Sequence, residues 1–160
     1  MANYSKGNMF NELTKPGNKI FCLTTNNVIK KNGNLVMGAG VALEGANYFV
    51  NLPTLAGKLI RKYNVENENY FFLLLFNESW DIKYGNRTGI GLLQTKRHYK
   101  DNSSISLISN SVEHLNIAAE RSKDFKFHSA MPGVGLGNAP YDIVYAITQR
   151  SPDNVTYWSL

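Results

Sequence analysis

Cysteine is almost missing from this chain. Cys22 is the only one in 160 residues, so no internal disulfide can form. It stands in an apolar run and is expected to be a buried structural thiol. Charged residues make up 18%, below the roughly 25% of an average domain. With 43% hydrophobic residues and no low-complexity stretch, that excludes a disordered chain. Long hydrophobic runs are absent. The longest, Tyr70–Phe76, is far too short to span a bilayer. The opening Met1–Lys6 has no apolar signal core. The chain therefore reads as cytoplasmic, and its Asn77-Glu78-Ser79 sequon carries no meaning. His98, His114 and His128 show no ligand spacing with one another or with Cys22, so no metal site is expected. No Ser-His-Asp arrangement stands out. Neither a Gly-x-Gly-x-x-Gly fingerprint nor a Gly-Lys-Ser/Thr phosphate loop is present.

What is present is a modest excess of positive charge, 17 basic against 12 acidic residues, or +5. It suits an anionic ligand, a nucleic acid or plain solubility. The basic pairs Lys30-Lys31, Arg61-Lys62 and Lys96-Arg97 are dispersed, which is the pattern of a solvated surface. No linker or repeat divides the chain, so one domain over residues 1–160 is expected.

The periodicities alternate in type. Ile20–Thr24, Tyr70–Phe76, Ile90–Thr95, Phe125–Ala130 and Val155–Trp158 read as strands, with Tyr70–Phe76 as a central one. Helices are predicted from Gly40 to Tyr48, from Pro53 to Tyr63 after Asn51 or Leu52 as cap, and from Ile105 to Arg121 behind Ser103 or Ser104. A further one is predicted over Tyr141–Gln149. Asn26–Asn34 is a polar loop with a tight turn at Asn32-Gly33, and turn signals stand at Gly85-Asn86 and Thr88-Gly89. Strands alternating with helices imply an α/β fold whose ligands bind at the carboxyl ends of the strands.

Two glycine-bearing segments each follow a strand and precede a helix. Gly38-Ala39-Gly40-Val41 is either a helix entry turn or an anion site built from free N–H groups. Pro132-Gly133-Val134-Gly135-Leu136-Gly137-Asn138 carries three alternating glycines. That run is entropically costly unless the backbone needs it, although a wide turn alone would also use it. Lys96 ends a strand at the same edge. It reads either as a surface lysine or as a phosphate ligand, nucleophile or base.

Taken together, these segments resemble the macrodomain family over nearly the whole chain. Tyr4-Ser5-Lys6-Gly7-Asn8-Met9-Phe10 is similar to its opening strand and Gly-Asp-Ile/Leu motif. Thr24-Thr25-Asn26 resembles its ribose-contacting strand end. Val36–Ala42 and Met131–Gly137 resemble its two phosphate loops. Met37–Gly40, Thr95-Lys96-Arg97 and Trp158-Ser159-Leu160 look most like the branch of the terminal ADP-ribose protein glycohydrolases, which includes antitoxins acting on ADP-ribosylated DNA.

The resemblance implies a three-layer α/β/α fold with a mixed sheet of about six strands that binds ADP-ribose. Asn8 would meet the adenine amino group where the family has Asp, and Met9 would add backbone contacts. Trp158 would pack on the adenine face and Asn26 would reach the distal ribose. Met37, Gly38, Ala39, Gly40 and Val41 would hold the diphosphate from one side. Pro132, Gly133, Val134, Gly135, Leu136, Gly137 and Asn138 would hold it from the other. Lys96 would be the catalytic nucleophile at C1″ of the distal ribose. The branch's acidic residue after the second loop has no counterpart in register, since the stretch reads Gly137-Asn138-Ala139-Pro140-Tyr141-Asp142.

The expected activity is hydrolysis of an ADP-ribosyl linkage. The alternatives are phosphatase action on ADP-ribose 1″-phosphate and a non-catalytic module that binds ADP-ribose derivatives. A general nucleic-acid binder ranks last, because the aromatics lie in strands rather than on a basic face. The expected partner is ADP-ribose or an ADP-ribosylated protein or nucleic acid, met by a monomer without a membrane, metal or cofactor.

Overall fold

The structure is a computed structural model that describes residues 1–63 and 68–160. Its six strands are β1 (Asn3–Lys6), β2 (Lys19–Thr25), β3 (Phe72–Leu75), β4 (Thr88–Gln94), β5 (Lys126–Ala130) and β6 (Val155–Ser159). They lie side by side in the order β1-β6-β5-β2-β4-β3. All pairs are parallel except β3 with β4, which is antiparallel. The sheet is thus mixed. The helices are α1 (Gly40–Tyr48), α2 (Leu52–Tyr63), α3 (Glu78–Tyr84), α4 (Ile105–Arg121) and α5 (Tyr141–Thr148).

Strand alternation builds two cores from one sheet. On β2, Phe21 and Leu23 point to one face, where Phe49, Leu52 and Trp80 of the α1–α3 side close over them. Ile20 and Cys22 point to the other face, against Ile108, Val112 and Leu115 of α4 and Val144 of α5. Cys22 is fully buried, and desolvation pushes its thiol pKa up, so it stays a neutral packing group. Both faces being covered explains why β2 and β4 read as near-continuous apolar runs.

Three differences from the sequence reading have physical causes. Tyr70–Phe76 was expected to be central, yet β3 is an edge strand, paired among the described residues only with β4. Its apolar character comes from helices packed on both faces, a signal that does not distinguish edge from centre. Thr88-Gly89 is not a turn but the start of β4, where Thr88 and Gly89 pair with Lys19 and Ile20. The unexpected α3 is capped by Asn77, whose Oδ1 accepts from Ser79 N at 3.0 Å, and ends at Gly85 in the left-handed region.

A 3-10 helix, Met9–Thr14, follows β1 and buries Met9, Phe10 and Leu13. The Asn27–Asn34 loop is a small hairpin, closed by the Ile29–Leu35 bridge and by Lys30 N donating to Asn34 O at 2.8 Å. It lies on the start of α2, with Thr54 Oγ1 donating to Asn34 Oδ1 at 2.8 Å and Leu35 N to Pro53 O at 3.0 Å. Among the described residues no helix is long and apolar enough to cross a membrane.

Candidate functional site

The parallel strands β2, β4 and β5 sit at the middle of the sheet, and the connections leaving their carboxyl ends converge. The β2–α1, β4–α4 and β5–α5 segments enclose a cleft of about 710 Å³. Asn26, Met37, Gly38, Ala39, Gly40 and Val41 wall it on one side. Val134, Leu136, Gly137 and Asn138 face it from the other, and Lys96 also lines it.

The first glycine segment enters α1 without a side-chain cap, since Ala39 occupies the cap position. The first N–H groups of the helix are therefore left for a ligand. Gly40 has φ +57°, a conformation that side chains resist. Asn26 fastens this segment to the end of β2. Its Nδ2 donates to Val36 O at 3.0 Å, and its Oδ1 accepts from Val28 N at 2.9 Å. The carboxamide keeps one N–H and one lone pair to offer a ribose hydroxyl.

The second segment turns through Gly133 (φ +75°), Gly135 (φ +79°) and Asn138 (φ +59°) and includes a 3-10 turn, Gly135–Gly137. Gly133 O accepts from Ala139 N at 2.9 Å, which closes the loop on itself. Pro132, Gly133 and Gly135 shape this turn rather than walling the cleft. Leu136 is 69% exposed and reaches over to the first segment, its Cδ1 3.1 Å from where a Cβ on Gly40 would lie. Each glycine loop thus limits what the other can carry.

Lys96 Nζ donates to Asp101 O at 3.2 Å. The Asp101 carboxylate is the only one among the cleft-wall residues, and Asp142 is exposed in the first turn of α5. The stretch Tyr99–Ser103 also walls the cleft, a contribution the sequence reading overlooked. Its signal was weak: a polar connection between a strand and a capped helix. This connection is buttoned to the second glycine loop, with Ser103 N donating to Gly137 O at 2.8 Å and Asn138 Nδ2 to Asn102 Oδ1 at 3.0 Å. A smaller hollow of about 340 Å³ opens on the far side of Lys96 and shares Lys96, Asp101 and Asn102 with the cleft.

Besides Pro132, Gly133 and Gly135, three more expected ligand residues stand away from the cleft wall. Asn8 Oδ1 caps the 3-10 helix by accepting from Phe10 N at 3.0 Å, and its Nδ2 donates to Glu44 Oε2 at 2.8 Å. Both ends of that amide are engaged, and the nearby carboxylate is Glu44 of α1. Met9 is buried in the core. Trp158, half-buried on β6, donates from Nε1 to Nδ1 of His128 at 3.1 Å. Desolvation lowers the His128 pKa to about 4, so near neutral pH the ring is uncharged and free to accept that bond. Among the described residues no cluster of His, Cys, Asp and Glu is arranged to hold a metal ion.

No protein-family model and no curated protein sequence matches the chain. Solved structures do. Thermosipho africanus DarTG in complex with ADP-ribose superposes with a TM-score of 0.76 at 23% identity, over 99% of this chain and 42% of that one. The macrodomain of Thermus aquaticus DarG gives 0.73 at 20% identity, covering 99% of this chain and 96% of that one. The macrodomain of Mycobacterium tuberculosis DarG gives 0.72 at 17% identity, covering 100% and 99%. The chain thus spans less than half of the Thermosipho chain but nearly all of the two isolated macrodomains. At these identities the likeness is one of fold, and the fold, with its mixed six-stranded sheet between two helical layers, is that of a macrodomain.

Proposed function

We propose that the chain is a single macrodomain that binds ADP-ribose across the two glycine loops and hydrolyses an ADP-ribosyl linkage through Lys96. One observation carries this reading: Lys96 lines the same cleft that residues of both glycine loops wall. Backbone N–H groups from the two loops suit a diphosphate, which they can bind without a positive side chain. A diphosphate held there leaves the Asn26 and Lys96 end for the distal ribose.

Lys96 then acts as a nucleophile in its free-amine form. Its nitrogen bonds to C1″ as the bond from C1″ to the acceptor breaks, and the acceptor departs with the electron pair and takes up a proton. Water then cleaves the carbon–nitrogen adduct, releasing ADP-ribose and regenerating the amine.

The test pairs calorimetry with turnover. ADP-ribose should bind more tightly than ADP or NAD. Lys96→Ala should keep that affinity while release of ADP-ribose from a modified protein or DNA falls by at least about a hundredfold. Undiminished release by Lys96→Ala would reject the mechanism. A second reading, a non-catalytic binding module, is favoured by the single carboxylate on the cleft wall and the absence of one from the second loop there. Tight ADP-ribose binding by the wild type without turnover of any ADP-ribosyl substrate would establish it. Phosphate release from ADP-ribose 1″-phosphate would instead point to a phosphatase.

A further inference from the structure

Next to the backbones of Asn26 and Lys96 lies a buried polar network outside the two glycine loops. Its centre is Gln94, the last residue of β4, which is fully buried. Every hydrogen-bonding direction of its side chain is used. Oε1 accepts from Tyr70 N at 2.9 Å and from Phe71 N at 3.3 Å. Nε2 donates to Asn69 Oδ1 at 3.0 Å and to Lys96 O at 3.3 Å. The Gln94 backbone N–H donates to Phe71 O at 2.9 Å.

The segment being held is strained. Phe71 has φ +61°, and Phe72 N donates to Tyr70 O at 2.7 Å, which makes a γ-turn with a bulky residue at positive φ. Such a turn persists only where its surroundings over-determine it. The turn aims the Tyr70 ring inward. Its hydroxyl donates to Asn26 O at 2.6 Å and lies 2.5 Å from Thr25 Oγ1. Since a phenol carries one proton, Thr25 is the donor in the second bond. Burial raises the Tyr70 pKa, which keeps that proton in place.

One three-residue turn is therefore tied to the backbone of Asn26 through a phenol and to the backbone of Lys96 through a carboxamide. A fully satisfied buried network of this kind rigidifies what it holds. We infer that Tyr70 and Gln94 are positioning residues, Tyr70 fixing Asn26 for ribose binding and Gln94 fixing Lys96 against C1″. This rests on the reading of Asn26 and Lys96 given above, and it assigns each of them a separate support.

The two supports should separate in experiment. Free ADP-ribose has a reducing distal ribose. A lysine amine held at C1″ condenses with the open-chain aldehyde to give an imine and water, and cyanoborohydride delivers hydride to convert the imine to a stable secondary amine. Intact mass then reports placement of Lys96 without any need for hydrolysis, and calorimetry with ADP-ribose reports the Asn26 end.

Gln94→Glu keeps an acceptor for Tyr70 N and Phe71 N but replaces the donor that faces Lys96 O. It should bind ADP-ribose within about threefold of wild type and lose most of the trapped adduct. Tyr70→Phe removes only the hydroxyl. It should weaken ADP-ribose binding about tenfold, yet reach the wild-type adduct yield once saturated. If Gln94→Glu fails to fold, Tyr70→Phe still decides the assignment through its affinity and its yield at saturation. Equal losses of affinity and trapping in the folded variants, or no loss in either, would overturn the inference. Wild-type protein that binds ADP-ribose but forms no adduct would reject Lys96 as the C1″ neighbour, and this assignment with it.

Discussion

Gly137 offers a test of how the second glycine loop is held. A Cβ built on Gly137 would lie 2.1 Å from Ser103 Oγ and 3.1 Å from Ser103 Cβ. The shorter separation is well inside contact distance, so Gly137→Ala forces either the Ser103 hydroxyl to rotate or the loop to retreat. Rotation sets the low end of the cost at about 1 kcal/mol, and backbone retreat the high end at about 3 kcal/mol. Ser103 Oγ is itself buried with no hydrogen-bond partner among the described residues. Its removal in Ser103→Ala should therefore be neutral or stabilise by up to about 1 kcal/mol. In the Ser103→Ala background the 2.1 Å clash is gone, and the remaining 3.1 Å contact is relieved by a shift of a few tenths of an ångström. The double-mutant cycle should then show a coupling of about 1 kcal/mol or more. Urea denaturation of the four proteins measures it, with constant m-values as the check that unfolding stays two-state. If Gly137→Ala costs the same in both backgrounds, the clash with Ser103 is not why glycine stands there.

Two further predictions concern the other side of the cleft and the sheet beneath it. Gly40→Glu should abolish measurable ADP-ribose binding in calorimetry, because its carboxylate would lie against the diphosphate. Gly40→Ala carries the same backbone strain at φ +57° and should retain binding, so equal behaviour of the two would reject the ligand assignment. The depressed pKa of His128, about 4, predicts acid sensitivity. The unfolded imidazole takes up its proton near pH 6.5, the folded one only near pH 4, so the unfolded state binds more protons between them. Stability should fall by on the order of 3 kcal/mol as pH drops across that window, and His128→Gln should flatten the slope in urea titrations.

The parts of the fold visible in the sequence are those written in local pattern. The runs that became β2, β4, β5 and β6 are apolar because both faces of the sheet are covered. The starts of α2 and α4 carry their own signals at Pro53 and Ser104. Strand order is not local. Nothing in Tyr70–Phe76 says that it lies at an edge, because α2 and α4 bury it from both sides. The short α3 did carry the cap Asn77 and the terminator Gly85, and was hidden by its length.

At the cleft, Gly38, Gly40, Gly137 and Lys96 were picked out in the sequence because their residue types stand out after apolar strands. Tyr70 and Gln94 were not. An aromatic and an amide in β-favouring runs look like packing until their partners are known, and those partners, Asn26 and Lys96, are set by tertiary contact. Asn8 shows the converse. Its position in the opening motif was legible, while its engagement by Phe10 N and Glu44 was not.

The β4–α4 connection gives these observations a common consequence. It holds Lys96 through the Asp101 carbonyl, and it holds the second glycine loop through Asn102 and Ser103. A displacement that begins at Gly137 therefore reaches the Lys96 amine through a short chain of hydrogen bonds, whereas the first glycine loop is anchored separately through Asn26 and Val36. On the proposed reading, the N–H groups of the first glycine loop would stay in place when Gly137 is replaced, while the Lys96 amine would shift relative to the distal ribose. Because near-attack geometry is far less tolerant of displacement than binding is, Gly137→Ala should lower turnover by a larger factor than it lowers affinity, and Ser103→Ala should restore both together.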